Sequence, residues 1–250
     1  MSFYFSDKTW PELEKYIADE AVVILPVGTT EEHGRHLPVG TDAMIARKWG
    51  DELGKELEGR LPLLVMETID YGFSMSVVRK WPGCPNVRTR TITDYVFDIV
   101  DSMIEMGFKR IVLLDCHGNH DCILRLVMRE IADKHGVYIM TLSPYELTAK
   151  LYAEIKQDPN GDIHGGEWET SWLFAIAPEL VNTDEYTDVD KIRCNTILRG
   201  PVSTWGLQET TTGLFGDPTK ACAETGHALI AEAVKKGAIY IEEYYRNKLL

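Results

Sequence analysis

The sequence has few basic residues and no long apolar run. Its 26 lysines and arginines against 39 aspartates and glutamates leave a net charge of −13. An extended nucleic-acid-binding surface is therefore unexpected, because such surfaces need clustered cations. The longest apolar runs are shorter than the roughly 20 residues that span a bilayer, and no basic start followed by an apolar run marks a leader. We expect neither a nucleic-acid nor a membrane partner.

Cysteine is also scarce. The five cysteines are an odd number, lie far apart and form no Cys-X-X-Cys pair. This usage is typical of reduced thiols rather than of a disulfide framework, so we predict a cytoplasmic protein. With 250 residues and no internal repeat or low-complexity tract, the chain is long enough to bury a full core.

Predicted strands and helices alternate along the chain. The apolar run 110–114 indicates a buried central strand, and the spacing of Ile45, Trp49 and Leu53 indicates a helix with one apolar face. Such alternation predicts a single-domain α/β sandwich over residues 1–250, in which a parallel sheet carries helices on both faces. The predicted strands are 21–27, 63–68, 110–115 and 137–142, and the predicted helices are 9–18, 42–58, 93–106, 120–135, 166–177 and 218–236.

Side chains with metal-binding chemistry fall in three clusters at predicted strand ends. Open α/β sheets bind their ligands at this edge, and carboxylates and imidazoles are the usual ligands of divalent cations. The clusters contain Glu31, His33, His36 and Asp42 after the first strand, His117 and His120 within 115–121 after the third, and Asp162, His164, Glu167 and Glu169 at the opening of the helix near 166.

Other interpretations exist for single members of these clusters. Any one histidine could cap a helix or hydrogen-bond in the core, although three such clusters are harder to explain in that way. Cys116 beside His117 suggests a thiol nucleophile, but a cysteine at a strand end is more often a small buried apolar residue. Glycines beside the histidines let the backbone approach a small ligand. A metal site is the interpretation that we favour.

These motifs resemble the creatininase (creatinine amidohydrolase) family. The resemblance rests on segment 28–38 with Asp42, on Trp81-Pro82-Gly83, on His117-Gly118-Asn119, and on segments 164–171 and 213–218. It covers most of the chain. It implies a compact α/β fold, two divalent metal ions per chain (zinc, manganese or iron), and a homo-oligomer, commonly a hexamer.

The resemblance also implies roles for the residues of the first two motifs. By position, Glu31 and His117 resemble ligands of one metal, His33 resembles a ligand of the other, and Asp42 resembles the carboxylate that bridges both.

The chain departs from creatininase at the second metal. Creatininase has a glutamate two residues after the second-motif histidine, whereas this chain has Asn119. Glu169 is the candidate replacement and His120 the fallback. His164 matches the proton-transfer histidine of the family. Two further residues, Glu32 and His36, are expected to orient the ligands.

Two cations that share a water lower its pKa, so that hydroxide exists near neutral pH and attacks a carbonyl or amidine-like carbon. His164 then passes a proton to the leaving group. The run 159–163 lacks the aromatic residue of the creatinine pocket, so we expect a divergent member rather than creatininase itself. A small cyclic amide or a cyclic polyol ketone, such as a keto-inositol, fits best. Five cations could serve a phosphate or carboxylate or be surface charges: Arg35, Arg79, Lys80, Arg88 and Arg90.

Two alternative functions remain open at this point. One is a mononuclear iron or zinc formamide deformylase of the same family, in which only Glu31, His33, Asp42 and His117 bind. The other is a non-catalytic module that binds a metal or a ligand. The loop 71–90 is either a pocket wall or an ordinary connection, and the region 184–215 is either a lid or an oligomer contact.

Overall fold

A parallel sheet organises the part of the chain that the structure describes. The structure is a computed structural model and describes residues 2–159, 162, 164–186 and 210–247. The strands are β1 (Val22–Val27), β2 (Leu63–Val65), β3 (Arg110–Asp115) and β4 (Met140–Leu142), in the order β2-β1-β3-β4. The α-helices are α1 (Trp10–Ala18), α2 (Thr41–Leu57), α3 (Thr89–Glu105), α4 (Asp121–His135), α5 (Pro144–Ile155), α6 (Glu167–Ile176) and α7 (Ala223–Arg246).

Helices cover both faces of this sheet, as the sequence predicts. Alternate side chains of a strand point to opposite faces. Ile24 and Val112 therefore pack with α2, α6 and α7 on one face. Val23 and Ile111 pack with α3 and α4 on the other. Strands that are buried on both sides need continuous apolar runs, which is what β1 and β3 have.

The central strand pair sets the position of the functional loops. β1 and β3 are in register over their whole length, with Val27 opposite Asp115. Because both strands end at the same level, the chain leaves the sheet at neighbouring points after each of them. The first and second clusters of polar residues begin there.

Several predicted boundaries are wrong. Helix α3 begins at Thr89 and not at residue 93, and Thr93 lies inside it with its hydroxyl donating to the Thr89 carbonyl (2.8 Å). The last helix begins at Ala223 and ends at Arg246, because Asp217 caps only a short 3₁₀ helix, Pro218–Lys220. The outer strands β2 and β4 are shorter than predicted, and helix α5 was not predicted.

Most of the region 184–215, predicted to be a lid or an oligomer contact, lies outside the described residues, which resume at 210. Among the helices that are described, none combines the length and the low charge that crossing a bilayer requires.

Candidate metal centre

The ends of β1 and β3 bring the first two clusters together. Glu31 and His33 lie in the segment after β1, Asp42 lies in the first turn of α2, and His117 follows β3. Gly28 makes the tight return from strand to helix possible, since a Cβ there would lie 2.6 Å from backbone atoms of Ala43. The carboxyl-terminal edge of the sheet is therefore a site of converging ligands.

Asp42 lies at the centre of the cluster and contacts two imidazoles through different oxygens. Its Oδ1 is 3.2 Å from His33 Nε2, and its Oδ2 is 2.9 Å from His117 Nδ1. Glu31 Oε1 is 3.7 Å from His117 Nδ1, and Glu169 Oε1 is 3.8 Å from His33 Nε2. All five side chains are buried. Asp42 thus lies between two pairs of candidate ligands.

Among the described residues, three groups of side chains each have candidate ligand atoms within 4.8 Å of one another. The groups are Glu31–Asp42–His117, His33–Asp42–Glu169 and Glu31–His33–His164. The first two share Asp42. They contain the residues that the resemblance assigns to two cations, and the second also contains Glu169. That these residues bind metal stays a prediction.

Backbone carbonyls fix the tautomers of both central histidines. His33 Nδ1 donates to the Glu31 carbonyl (3.1 Å), and His117 Nε2 donates to the Phe73 carbonyl (3.0 Å). In the neutral rings, which a metal would require, the remaining nitrogens His33 Nε2 and His117 Nδ1 therefore direct lone pairs at the cluster. A hydrogen bond from the other ring nitrogen is the usual support of a metal-binding histidine.

The electrostatics of the cluster also fit a cation. Within the described part of the chain, Glu31 Oε2 is buried without a hydrogen-bond donor, which is costly for a carboxylate unless a cation compensates. Burial disfavours the charge of Asp42, but His33 and His117 outweigh it and hold the pKa of Asp42 below its ordinary value. Burial opposes protonation of His117, yet Glu31 and Asp42 raise its pKa to about 9. Divalent cations would replace these protons.

His164 approaches the cluster from the third motif. That motif precedes α6 and follows helix α5, so the prediction that it follows a strand is wrong. An antiparallel bridge to Phe215 holds His164 instead (N to O 3.2 and 2.8 Å). His164 Nε2 donates to the Glu32 carbonyl (2.7 Å), and Nδ1 is 3.6 Å from Glu31 Oε1. The nitrogen without a proton thus faces the ligands.

Two histidines of the predicted set have other partners. His120 Nε2 accepts the Phe73 backbone N–H (3.0 Å), and His120 belongs to none of the three groups found among the described residues. His36 Nε2 lies 2.9 Å from Thr170 Oγ1, and burial lowers the pKa of His36 to about 4. His36 is therefore held beside α6, outside the three groups.

The polar neighbours Glu32 and Asn119 contact residues of the cluster and do not belong to its three groups. Glu32 Oε2 accepts the Gly34 N–H (2.9 Å), which shapes the loop that carries His33. The Asn119 amide nitrogen is 3.3 Å from His117 Nε2, on the side of the ring away from Asp42. The amide at position 119 therefore lies apart from the Glu169 side of the cluster.

Sequence reasoning missed Tyr145. Its hydroxyl donates to Glu169 Oε1 (2.7 Å), and burial, with Glu169 and Asp42 close by, raises the pKa of this phenol well above its ordinary value. Tyr145 comes just after β4, so the rule that parallel strands end at one functional edge would have found it.

A cavity of about 330 Å³ opens onto the cluster. The loop 71–90 supplies part of its wall through Met75, Val77 and Val78, opposite His164 and Glu169. The described wall contains six carboxylates and neither lysine nor arginine, so the five cations considered above do not line it. Arg35 instead pairs with Glu185 on the surface.

The sequence model of the creatininase (creatinine amidohydrolase) family matches residues 6–241 of this chain. The chain belongs to the creatininase family. It is a metal-dependent hydrolase of that family, and its identities to the relatives described next make it a divergent member rather than creatininase itself.

Two curated relatives illustrate the range of the family. The chain is 30% identical to a creatinine amidohydrolase of Pseudomonas putida over 75% of this chain and 76% of the relative. It is 23% identical to a 3-dehydro-scyllo-inosose hydrolase of Thermotoga maritima over 98% of this chain and 83% of that relative.

Solved structures give the same fold. A creatininase variant superposes with a TM-score of 0.81 at 24% identity, covering 99% of this chain and 100% of that one. Two further creatininase structures, described as a manganese form and as a zinc–zinc form of a variant, superpose with TM-scores of 0.79 and 0.78 at 23% identity over 99% of this chain and 100% of theirs.

Proposed function

We propose that this protein holds two divalent cations and uses an activated water to hydrolyse a small, uncharged ring compound, either a cyclic amide or a cyclic polyol ketone such as a keto-inositol. Glu31, Asp42 and His117 would hold one cation, and His33, Asp42 and Glu169 the other. Zinc, manganese or iron would suit these nitrogen and oxygen ligands.

The observation that carries the proposal is the position of Asp42. Its two oxygens face His33 Nε2 and His117 Nδ1 at 3.2 and 2.9 Å, and a second carboxylate stands beside each imidazole. A single cation would need only one of these two groups. Two complete groups that share one carboxylate favour a dinuclear site over the mononuclear deformylase.

Cations in such a site supply a hydroxide equivalent near neutral pH and polarise a carbonyl oxygen. The protein supplies the rest. His164 holds its own proton on Nε2 against the Glu32 carbonyl, so Nδ1 is the nitrogen that accepts a proton and returns it to the leaving group. Met75, Val77 and Val78 form an apolar side of the cavity against which a ring could pack.

The charge of the cavity wall supports an uncharged substrate. Six carboxyl groups line its described part, against two histidines, His117 and His164, and neither lysine nor arginine. A phosphate or carboxylate on the substrate would therefore be repelled by the wall where it is not in contact with the metal cations. A cavity of about 330 Å³ also suits a single small ring. Relatives named for creatinine and for 3-dehydro-scyllo-inosose agree with this choice.

The test combines metal content with turnover. Elemental analysis of the purified protein, before and after chelation, would be run beside a panel of cyclic amides, formamides and keto-inositols, each with a phosphorylated counterpart where one exists. We expect two cations per chain, and chelator-sensitive turnover of an uncharged ring in preference to its phosphorylated counterpart.

Each other outcome has a definite meaning. One cation per chain with formamide turnover would replace the proposal with the mononuclear deformylase. Preference for a phosphorylated compound would overturn the substrate class alone. If the protein binds no cation and shows no turnover after reconstitution with zinc or manganese, the interpretation as a non-catalytic binding module replaces the proposal.

We also propose that the chain forms a homo-oligomer, a hexamer in particular, in the cytoplasm. The family resemblance supports the assembly, and the dispersed cysteines support a reducing compartment. Light scattering should then give a particle about six times the 28.3 kDa chain mass.

A further inference from the structure

Glu169 uses its two oxygens differently. Oε2 accepts the backbone N–H of Gly165 (2.6 Å) and is turned away to the loop. Oε1 accepts the Tyr145 hydroxyl (2.7 Å) and is the oxygen that faces His33 Nε2 at 3.8 Å. Oε1 is therefore the oxygen that a cation beside His33 would meet, and Tyr145 is the side chain that directs it.

Tyr145 is itself held firmly. It is the second residue of α5, just after Pro144, whose ring restricts the backbone. Its ring stacks on Trp168 with the centroids 4.1 Å apart and the planes at 29°. Trp168 Nε1 in turn donates to Thr148 Oγ1 (3.1 Å), one turn along α5. The hydroxyl thus has a fixed position relative to Glu169 on α6.

The second group needs this support because, among the described residues, Glu169 is its one carboxylate besides Asp42, while Glu31, which also lies near His33, belongs to the first group as well. Asn119 is an amide, and it lies against His117 Nε2 on the far side of the imidazole. A misdirected Glu169 would leave His33 and Asp42 as the remaining members of the group.

We propose that Tyr145 is a positioning residue, which holds Glu169 Oε1 toward the second cation and so sets the affinity of that cation site. The inference rests on the proposed dinuclear function. Side chains that support metal ligands from behind typically contribute about 10–100-fold to metal affinity.

Tyr145→Phe tests the proposal, because it removes the hydroxyl and keeps the stacked ring. We expect competition with a chromogenic zinc chelator to show the second cation bound about 10–100-fold more weakly, with the first unchanged. The visible spectrum of the cobalt-loaded protein should change in the contribution of the second site only.

Tyr152→Phe is the matched control. Tyr152 lies on the same helix and also donates to a buried carboxylate, Asp162 Oδ2 (3.1 Å), but Asp162 belongs to none of the three ligand groups. This variant should bind both cations as the wild type does.

The outcomes separate the inference from the function on which it rests. If the wild type binds two cations and Tyr145→Phe binds the second with the same dissociation constant, the role of Tyr145 is overturned and the dinuclear site stands. A wild type with one cation would overturn both.

A second pair of variants covers poor folding of Tyr145→Phe. Tyr145→Gln and Tyr145→Leu both lose the ring, but only glutamine retains a donor. The glutamine variant should hold the second cation more tightly, and equal affinity in the two would contradict the proposal.

Discussion

Asp42 is the residue on which both proposed cation sites depend. Asp42→Asn keeps the shape of the side chain but removes its charge and one of the two oxygens that face His33 and His117. We expect the variant to lose both cations on dialysis and its turnover to fall by more than about 100-fold, beyond the usual effect of a supporting residue. Elemental analysis and a turnover assay measure the two effects.

The control for this prediction is Asp101→Asn. Asp101 also pairs with basic groups, Lys134 and His135, but on the surface. It should retain wild-type metal content. An Asp42→Asn protein that kept both cations would show that the carboxylate does not bridge them.

His164 offers a second prediction at this scale. Its Nδ1 faces the ligands while Nε2 is engaged with a backbone carbonyl, which suits proton transfer. His164→Ala should keep its metal content and lose about 10²–10⁴-fold in kcat, the usual contribution of general acid–base catalysis. His135→Ala, a histidine paired on the surface with Asp101, is the control.

Loss of metal in His164→Ala would contradict this assignment. It would make His164 a ligand, as its proximity to Glu31 and His33 allows.

At the scale of the elements, the central strands were easier to predict than the edges. β1 and β3 are buried on both faces and therefore carry continuous apolar runs that sequence reveals directly. The outer strands β2 and β4 are only three residues long, too short for a clear period. Pro144 looks like a chain break in sequence, but it is the first residue of α5.

The candidate site likewise has a part that the sequence predicts and a part that it does not. Glu31, His33 and His117 follow predicted strands, so the fold class alone brings them to one edge. The contacts of Glu169 with Tyr145, and of His164 with Phe215, join segments far apart in the chain. Neither contact has a local pattern, because each depends on how α5, α6 and the segment after residue 210 pack together.

The junction between β1 and α2 yields a prediction about elements. A methyl group at Gly28 would meet the Ala43 backbone at 2.6 Å, and backbone cannot move aside as a flexible side chain can. Gly28→Ala should therefore destabilise the protein by about 1–3 kcal/mol. It should also weaken cation binding, since the displaced turn carries Asp42.

Urea unfolding and metal titration would measure both effects. Gly40→Ala is the matched control at the other end of the same loop, because nothing lies within 4 Å of a Cβ there. Gly40→Ala should leave cation binding unchanged. Equal cation affinity in the two variants would show that the Gly28 contact does not position Asp42.

At the scale of the whole molecule, the site concentrates negative charge in an already acidic protein. The chain carries a net charge of −13, and Glu31, Glu32, Asp42 and Glu169 are all buried at one edge of the sheet. Removing their charge from water is unfavourable, and like charges repel one another at short range. Cations that bind only the folded protein relieve both costs, so the stability of the fold should depend on them.

The thermal midpoint therefore should rise with cation concentration. At one hundred times the dissociation constant, binding to the folded state alone adds about 2.7 kcal/mol, and for a domain of this size each kcal/mol corresponds to roughly 2–4 °C. We expect the midpoint in excess zinc or manganese to exceed that in chelator by about 5–11 °C, measured by scanning calorimetry. Asp42→Asn should show no such shift. An equal midpoint with and without cation, at concentrations where elemental analysis finds the metal bound, would mean that the metal does not favour the folded state.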